Sequence, residues 1–66
     1  MGVKFPDVTV QLVGIDGNAF SIMGAVRKAL LRAGVDQVDI DEYLEDSKSG
    51  DYDHLIRVAM KTVNVE

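Results

Sequence analysis

The sequence predicts a small α+β domain of order β-α-α-α-β, with three helices packed on a short two-stranded sheet. Three patterns carry that prediction. Val8 to Val13 alternates in hydropathy, Thr62 to Glu66 alternates again, and three stretches between them repeat apolar residues at spacings of three and four. The 66 residues are expected to form a single domain, 1–66, with little surface to bury. Chains of this size are marginal unless a metal, a disulfide or a partner adds stability.

Met1 to Asp7 reads as an N-terminal tail or lead-in, since Pro6 suits a strand edge or the approach to one. In the first strand Val8, Val10 and Leu12 share one face, while Thr9, Gln11 and Val13 share the other. Gly14 to Gly17 then turns the chain into the longest helix. Asn18 is its expected N-cap, because its side-chain oxygen can accept an unpaired amide of the first turn. Ala19, Ile22, Met23, Val26, Ala29, Leu30 and Ala33 fall on one side, with Ser21, Lys28 and Arg32 opposite. Gly34 can adopt the left-handed conformation that ends a helix, and Val35 is placed for the hydrophobic contact of a Schellman motif.

A second helix is signalled by Asp36, with Asp39 three residues on as a variant of the capping box. Ile40, Tyr43 and Leu44 form its apolar stripe, with Val38 nearby. Glu45 and Asp46 oppose the dipole at its far end, so its last turn is expected to fray. Ser47 to Gly50 is a turn, and Ser49 or Asp51 can cap a third helix bearing Tyr52, Leu55, Ile56, Ala59, Met60 and Val63 at helical spacing. A lone strand at Val8 would leave backbone groups unpaired, and pairing it with Thr62–Glu66 satisfies both segments. The alternation leaves parallel and antiparallel pairing open. Exposed edges of so small a sheet make a homodimer with a shared sheet a further expectation.

Composition narrows the chemistry. With no cysteine there is no disulfide framework, thiol nucleophile or thiolate zinc site. The start of the chain lacks an apolar signal-peptide core and a myristoylation pattern, and no apolar run is long enough to span a bilayer, so a cytoplasmic location is expected. A net charge of −4 argues against nucleic acid or an anionic membrane as the main partner.

Four constellations are candidates for function. The turn G-I-D-G-N, with Gly14, Asp16, Gly17 and Asn18, lies between a strand and a helix start, the layout of an anion or small-ligand site. Its glycine spacing matches neither G-x-G-x-x-G nor a Walker loop, and Asp16 would repel phosphate, so a tight turn with a capping Asn is the first expectation. His54 in D-Y-D-H-L has carboxylates beside it for general-base work. Ser21, Ser47, Ser49 and the threonines have no nucleophile context, which leaves a capped helix turn with His54 exposed or stacked on Tyr52. The acidic run from Asp36 to Asp53 fails the EF-hand register from either Asp46 or Asp16, and reads as a solvated helix face. Arg27, Lys28 and Arg32 could form a small basic patch for nucleic acid, but Asp51 and Asp53 head the helix that would enter a groove. No catalytic residue, metal ligand or cofactor is assigned.

The segments L-V-G-I-D-G-N-A-F-S-I-M-G and S-G-D-Y-D-H-L-I resemble a family of small bacterial and phage proteins of about this length. The resemblance spans roughly positions 8 to 66, and Asp16, Gly17, Asn18, Phe20 and Gly50 to Leu55 carry it. It implies a bacterial, cytosolic setting and no particular activity. The leading functional expectation is therefore a small non-enzymatic interaction or regulatory protein that binds another protein through an apolar or edge-strand surface. The alternatives are a small-ligand or anion binder at Gly14–Phe20, and a nucleic-acid-associated accessory protein of a mobile element using Arg27, Lys28 and Arg32.

Overall fold

A computed structural model describes residues 2–12 and 17–66. The elements are β1 (Phe5–Val10), α1 (Ala19–Arg32), α2 (Gln37–Lys48), α3 (Tyr52–Thr62) and β2 (Val63–Val65). This is the predicted order, β-α-α-α-β. The two strands pair in parallel, which resolves the orientation left open by the alternation.

Helix α1 begins and ends as its sequence requires. The Asn18 side chain accepts the Phe20 amide at 2.8 Å. At the other end Gly34 takes φ +79°, the Gly34 amide donates to the Leu31 carbonyl, and the Val35 amide donates to the Leu30 carbonyl. That crossed pair of bonds is a Schellman motif. Ile22, Met23, Val26 and Leu30 are buried, whereas Ala33 occupies the cap position and is exposed, one residue past the inward stripe. Gly24 is an oddity. It stands exposed in mid-helix, a Cβ there would meet nothing within 4 Å, and glycine at such a position costs about 0.5–1 kcal/mol relative to alanine.

Helix α2 departs from its expected start and finish. Asp36 holds the N-cap position without a side-chain capping bond, and the Asp39 carboxylate lies 3.7 Å from the Lys4 ammonium instead of reaching back to the cap. The capping-box variant fails because aspartate is one methylene shorter than the glutamate the motif uses. The last turn does not fray: the helix continues to Lys48, and Ser49 closes it. Ile40, Tyr43 and Ser47 point inward, whereas Val38 is 68% exposed.

Helix α3 is capped by Asp51, whose carboxylate accepts the His54 amide at 2.9 Å. Leu55, Val58, Ala59 and Thr62 are buried; Met60 and Tyr52, expected inward, are exposed, and Val58 fills the inward row. The buried Thr62 hydroxyl donates to the Val58 carbonyl, which satisfies it where the helix meets the sheet. Val63 follows Thr62 directly, and α3 passes into β2 without a loop.

Strand β1 starts earlier than the alternation implies. Phe5 pairs with Val63, Thr9 with Asn64 and Val10 with Val65, so the stretch between Phe5 and Thr9 bulges out of register. Pro6 falls in that bulge, where its missing amide does no harm, and the Asn64 side-chain amide donates to the Pro6 carbonyl. Beyond the formal end of β1 the Leu12 amide still donates to Glu66. Val8 and Val10 face the helices as predicted. They join Val26, Leu30, Ile40, Tyr43, Val58, Ala59 and Val63 in the main core, while Ile22, Met23 and Leu55 form a second cluster linked to it by Leu12 and Leu44.

Tyr43 is a buried polar exception. The Ser47 hydroxyl gives its proton to the Tyr43 carbonyl at 2.8 Å, and the Tyr43 hydroxyl has no bond of sound geometry. Burial pushes the phenol above its ordinary value of 10.0, an effect the nearby Ser47 hydroxyl partly offsets. A raised folded-state value means the phenol's contribution is intact below pH 10.0 and is lost as pH climbs through and beyond it. Tyr43→Phe is expected to leave stability at neutral pH unchanged or higher by up to about 1 kcal/mol, and to reduce the alkaline loss. Urea titrations at neutral pH and above pH 10.0 measure both.

Candidate functional site

Where the second core cluster reaches the surface, the N-terminal ends of α1 and α3 meet the C-terminal end of α2. Met23 and Leu55 contribute to a groove of about 320 Å³, Phe20 and Tyr52 project beside it, and Lys48 and Asp51 supply charges to its lining. Local chemistry explains the placement. Phe20 is the second residue of α1, one turn before Met23 on the same side but at the open end of the helix, and it is 77% exposed. Tyr52 opens α3 at 47% exposure, and its hydroxyl donates to the Gly17 carbonyl at 2.7 Å. That bond links the start of α3 to the start of α1. A volume of about 320 Å³ is within the range of small-ligand pockets, and apolar residues predominate in its lining.

Of the predicted ligand residues, Gly17 and Asn18 directly precede Ala19 and Phe20 of the groove lining. Gly14 and Asp16 lie outside the described residues. Gly17 contributes the carbonyl bound by Tyr52, and Asn18 caps α1. The basic residues are elsewhere. Arg27 and Lys28 are exposed on the outer side of α1, while Arg32 lines a shallow depression beside Asp7 and Thr9 of β1. Among the described residues none of the three forms an ion pair. Arg32 and Arg27 are thus drawn to different sides, and the trio does not converge on one point.

His54 is neither fully exposed nor stacked on Tyr52. Its Nε2 lies 2.8 Å from the Asp46 carbonyl, 3.1 Å from the Asp46 carboxylate and 3.1 Å from the Ser49 hydroxyl. This brings a serine, a histidine and an aspartate together, a grouping hidden in the sequence because it is assembled across the α2–α3 turn. It is wired as a cap. A carbonyl oxygen can only accept, so Nε2 carries a proton and cannot take one from Ser49, whose own proton goes to the Asp46 carbonyl at 2.7 Å. In a nucleophilic triad the carboxylate and the hydroxyl address opposite ring nitrogens; here both address one. The imidazole instead satisfies a carbonyl at the C-terminal end of α2, where a cation or donor also opposes the helix dipole. This is why the last turn holds despite Glu45 and Asp46. Gly50 makes room for the ring: a Cβ there would sit 2.7–2.8 Å from His54 atoms.

The acidic residues of α2 likewise do not assemble a cation site: no group of three or more histidine or acidic side chains among the described residues is arranged to hold a metal ion. Lys4 instead lies 3.7 Å from both Asp39 and Glu42, contacts that are exposed and contribute little. No helix among the described residues is long and apolar enough to cross a membrane. The Ser49–His54–Asp46 clasp has no counterpart among the sequence expectations, whereas Phe20 closes the predicted stretch Gly14–Phe20. The chain matches no protein-family model, and no curated protein or solved structure shows significant similarity to it.

Proposed function

We propose that this chain is a small non-enzymatic interaction or regulatory protein that binds a protein partner through the groove between α1 and α3. One observation carries the reading: Phe20, 77% exposed, stands beside an apolar groove containing Met23 and Leu55. Aromatic residues at the edge of apolar pockets are the usual anchors of protein recognition. Lys48 defines the rest of the partner, since it lines the groove without an ion pair among the described residues. The segment that fits places a large apolar side chain in the groove and an acidic residue against Lys48. The wiring of His54 as a helix cap supports a non-enzymatic role.

Panning a random peptide library on the folded protein tests this. Enriched peptides are expected to share a large apolar residue beside an acidic one, and Phe20→Ser is expected to weaken them by about tenfold or more without changing helix content. Peptides indifferent to Phe20, or no enrichment at all, would refute the reading. The groove's volume and its position against Gly17 and Asn18 favour a small-ligand binder as the second reading. Amide shifts confined to Gly17, Asn18 and Ala19 on titration with phosphate or nucleotides would select it.

A further inference from the structure

Away from the groove, the outer side of α1 presents Gly24, Arg27 with Lys28, and Leu31 at helical spacing, all of them exposed. Nothing among the described residues accounts for this face. A side chain at Gly24 would meet nothing, no carboxylate among the described residues pairs with Arg27 or Lys28, and Leu31 is 43% exposed. Helix α2 carries the complement at the same spacing. Val38 is 68% exposed, and Asp41 and Glu45 follow one and two turns later. Among the described residues Asp41 accepts from the Gln37 side chain and neither Asp41 nor Glu45 forms an ion pair.

We propose that the outer face of α1 seats a second copy of this chain, which docks through its α2. Antiparallel seating sets Leu31 against Val38 of the other copy and Arg27 and Lys28 against its Asp41 and Glu45. Residues three and four apart on each helix share a face, so the two rows match in spacing. Gly24 then has a purpose, because an exposed glycine lets a second helix approach closely. The assembly closes at two when both faces engage at once about a two-fold axis, each copy giving one basic and one acidic face.

The sheet edge fits a second copy less well. β2 is three residues long and β1 is broken by the bulge at Pro6, so neither offers a continuous row of backbone groups. Phosphate also fits less well, because α2 brings Asp39, Asp41, Glu42, Glu45 and Asp46 to a chain of net charge −4. The contact is independent of the groove reading, and either can fail alone.

Sedimentation of the whole chain at millimolar concentration tests the proposal. Dimer is expected at low salt and monomer at about 0.5 M NaCl, where exposed charges are screened within a few ångströms. The reversals R27E/K28E and D41K/E45K are each expected to raise the dissociation constant by about tenfold or more. Mixing them in equal amounts is expected to restore dimer, because each reversed face then meets its complement. Phe20→Ser is expected to dimerise like the unaltered chain. Monomer at low salt would overturn the proposal, as would dimer that survives both reversals, or a mixture of folded reversal variants that stays monomeric. Dimer lost in Phe20→Ser but kept in R27E/K28E would place self-association at the groove and overturn this seat. Retardation of duplex DNA that R27E/K28E abolishes, with no self-association at low salt, would assign the face to phosphate instead.

Discussion

Leu30→Ala is expected to leave a large part of the population unfolded at 25 °C, whereas Leu31→Ala next to it is expected to be nearly silent. Leu30 has no solvent exposure and lies in the main core against both the sheet and the other helices; Leu31 is 43% exposed. Deleting a buried leucine side chain to alanine typically costs about 2–5 kcal/mol, through lost transfer energy and the cavity left behind. A domain of this length has roughly 3–10 kcal/mol in total at ordinary stability per residue. The substitution therefore removes a large fraction of what holds the chain together. Urea titration followed by far-ultraviolet circular dichroism separates the two variants directly. Equal losses would show that the buried face of α1 has been assigned wrongly.

Gly50→Ala is expected to cost about 1–3 kcal/mol, a large effect for one methyl group on an exposed turn. The added Cβ would approach the Cγ of His54 to 2.7 Å and its Cβ and Cδ2 to 2.8 Å. These atoms lie at the root of the side chain, so the ring cannot swing aside without abandoning the Asp46 carbonyl. His54→Ala alone is expected to cost about 1 kcal/mol, as the loss of a hydrogen bond and cap. The double variant G50A/H54A is then expected to lose less than the sum of the two single variants, because the approaches to Cγ and Cδ2 are gone while that to the Cβ at position 54 remains. A double-mutant cycle in urea reads this non-additivity. Simple addition of the two losses would mean that Gly50 is needed for the turn's backbone and not for the histidine.

Much of the architecture was legible because local signals agree with one another. Asn18, Asp51 and Gly34 each mark a helix boundary by a mechanism that needs only neighbouring residues, and all three act as expected. The inward rows of α1 and β1 followed from spacing alone. What was not legible depends on residues distant in sequence. The parallel direction of the strands, and the Asn64 side chain that completes the ladder at Pro6, are set by how the helices bring the two segments together. Asp36 and Asp39 carry the composition of a capping box, yet the short Asp39 side chain does not reach back to the cap and lies beside Lys4 from the far end of the chain. The candidate site shows the same division. The start of α1 at Asn18 followed from local capping chemistry, whereas Tyr52 and Lys48 reach the groove only through the packing of α3 and α2 against α1.

The direct passage of α3 into β2 has a consequence for the order in which the molecule assembles. The three helices each close through contacts between near neighbours, and two of them carry side-chain caps encoded beside them. β1 has no pairing partner among the described residues until Val63–Glu66 arrive, more than fifty positions later in the chain. Closing so long a loop carries an entropy cost that only the completed core offsets. The helices are therefore expected to form before the sheet closes over Val8 and Val10. Because β2 grows out of α3 without a hinge, docking of that helix and closure of the sheet are one event, and helix and strand should acquire protection from hydrogen exchange together.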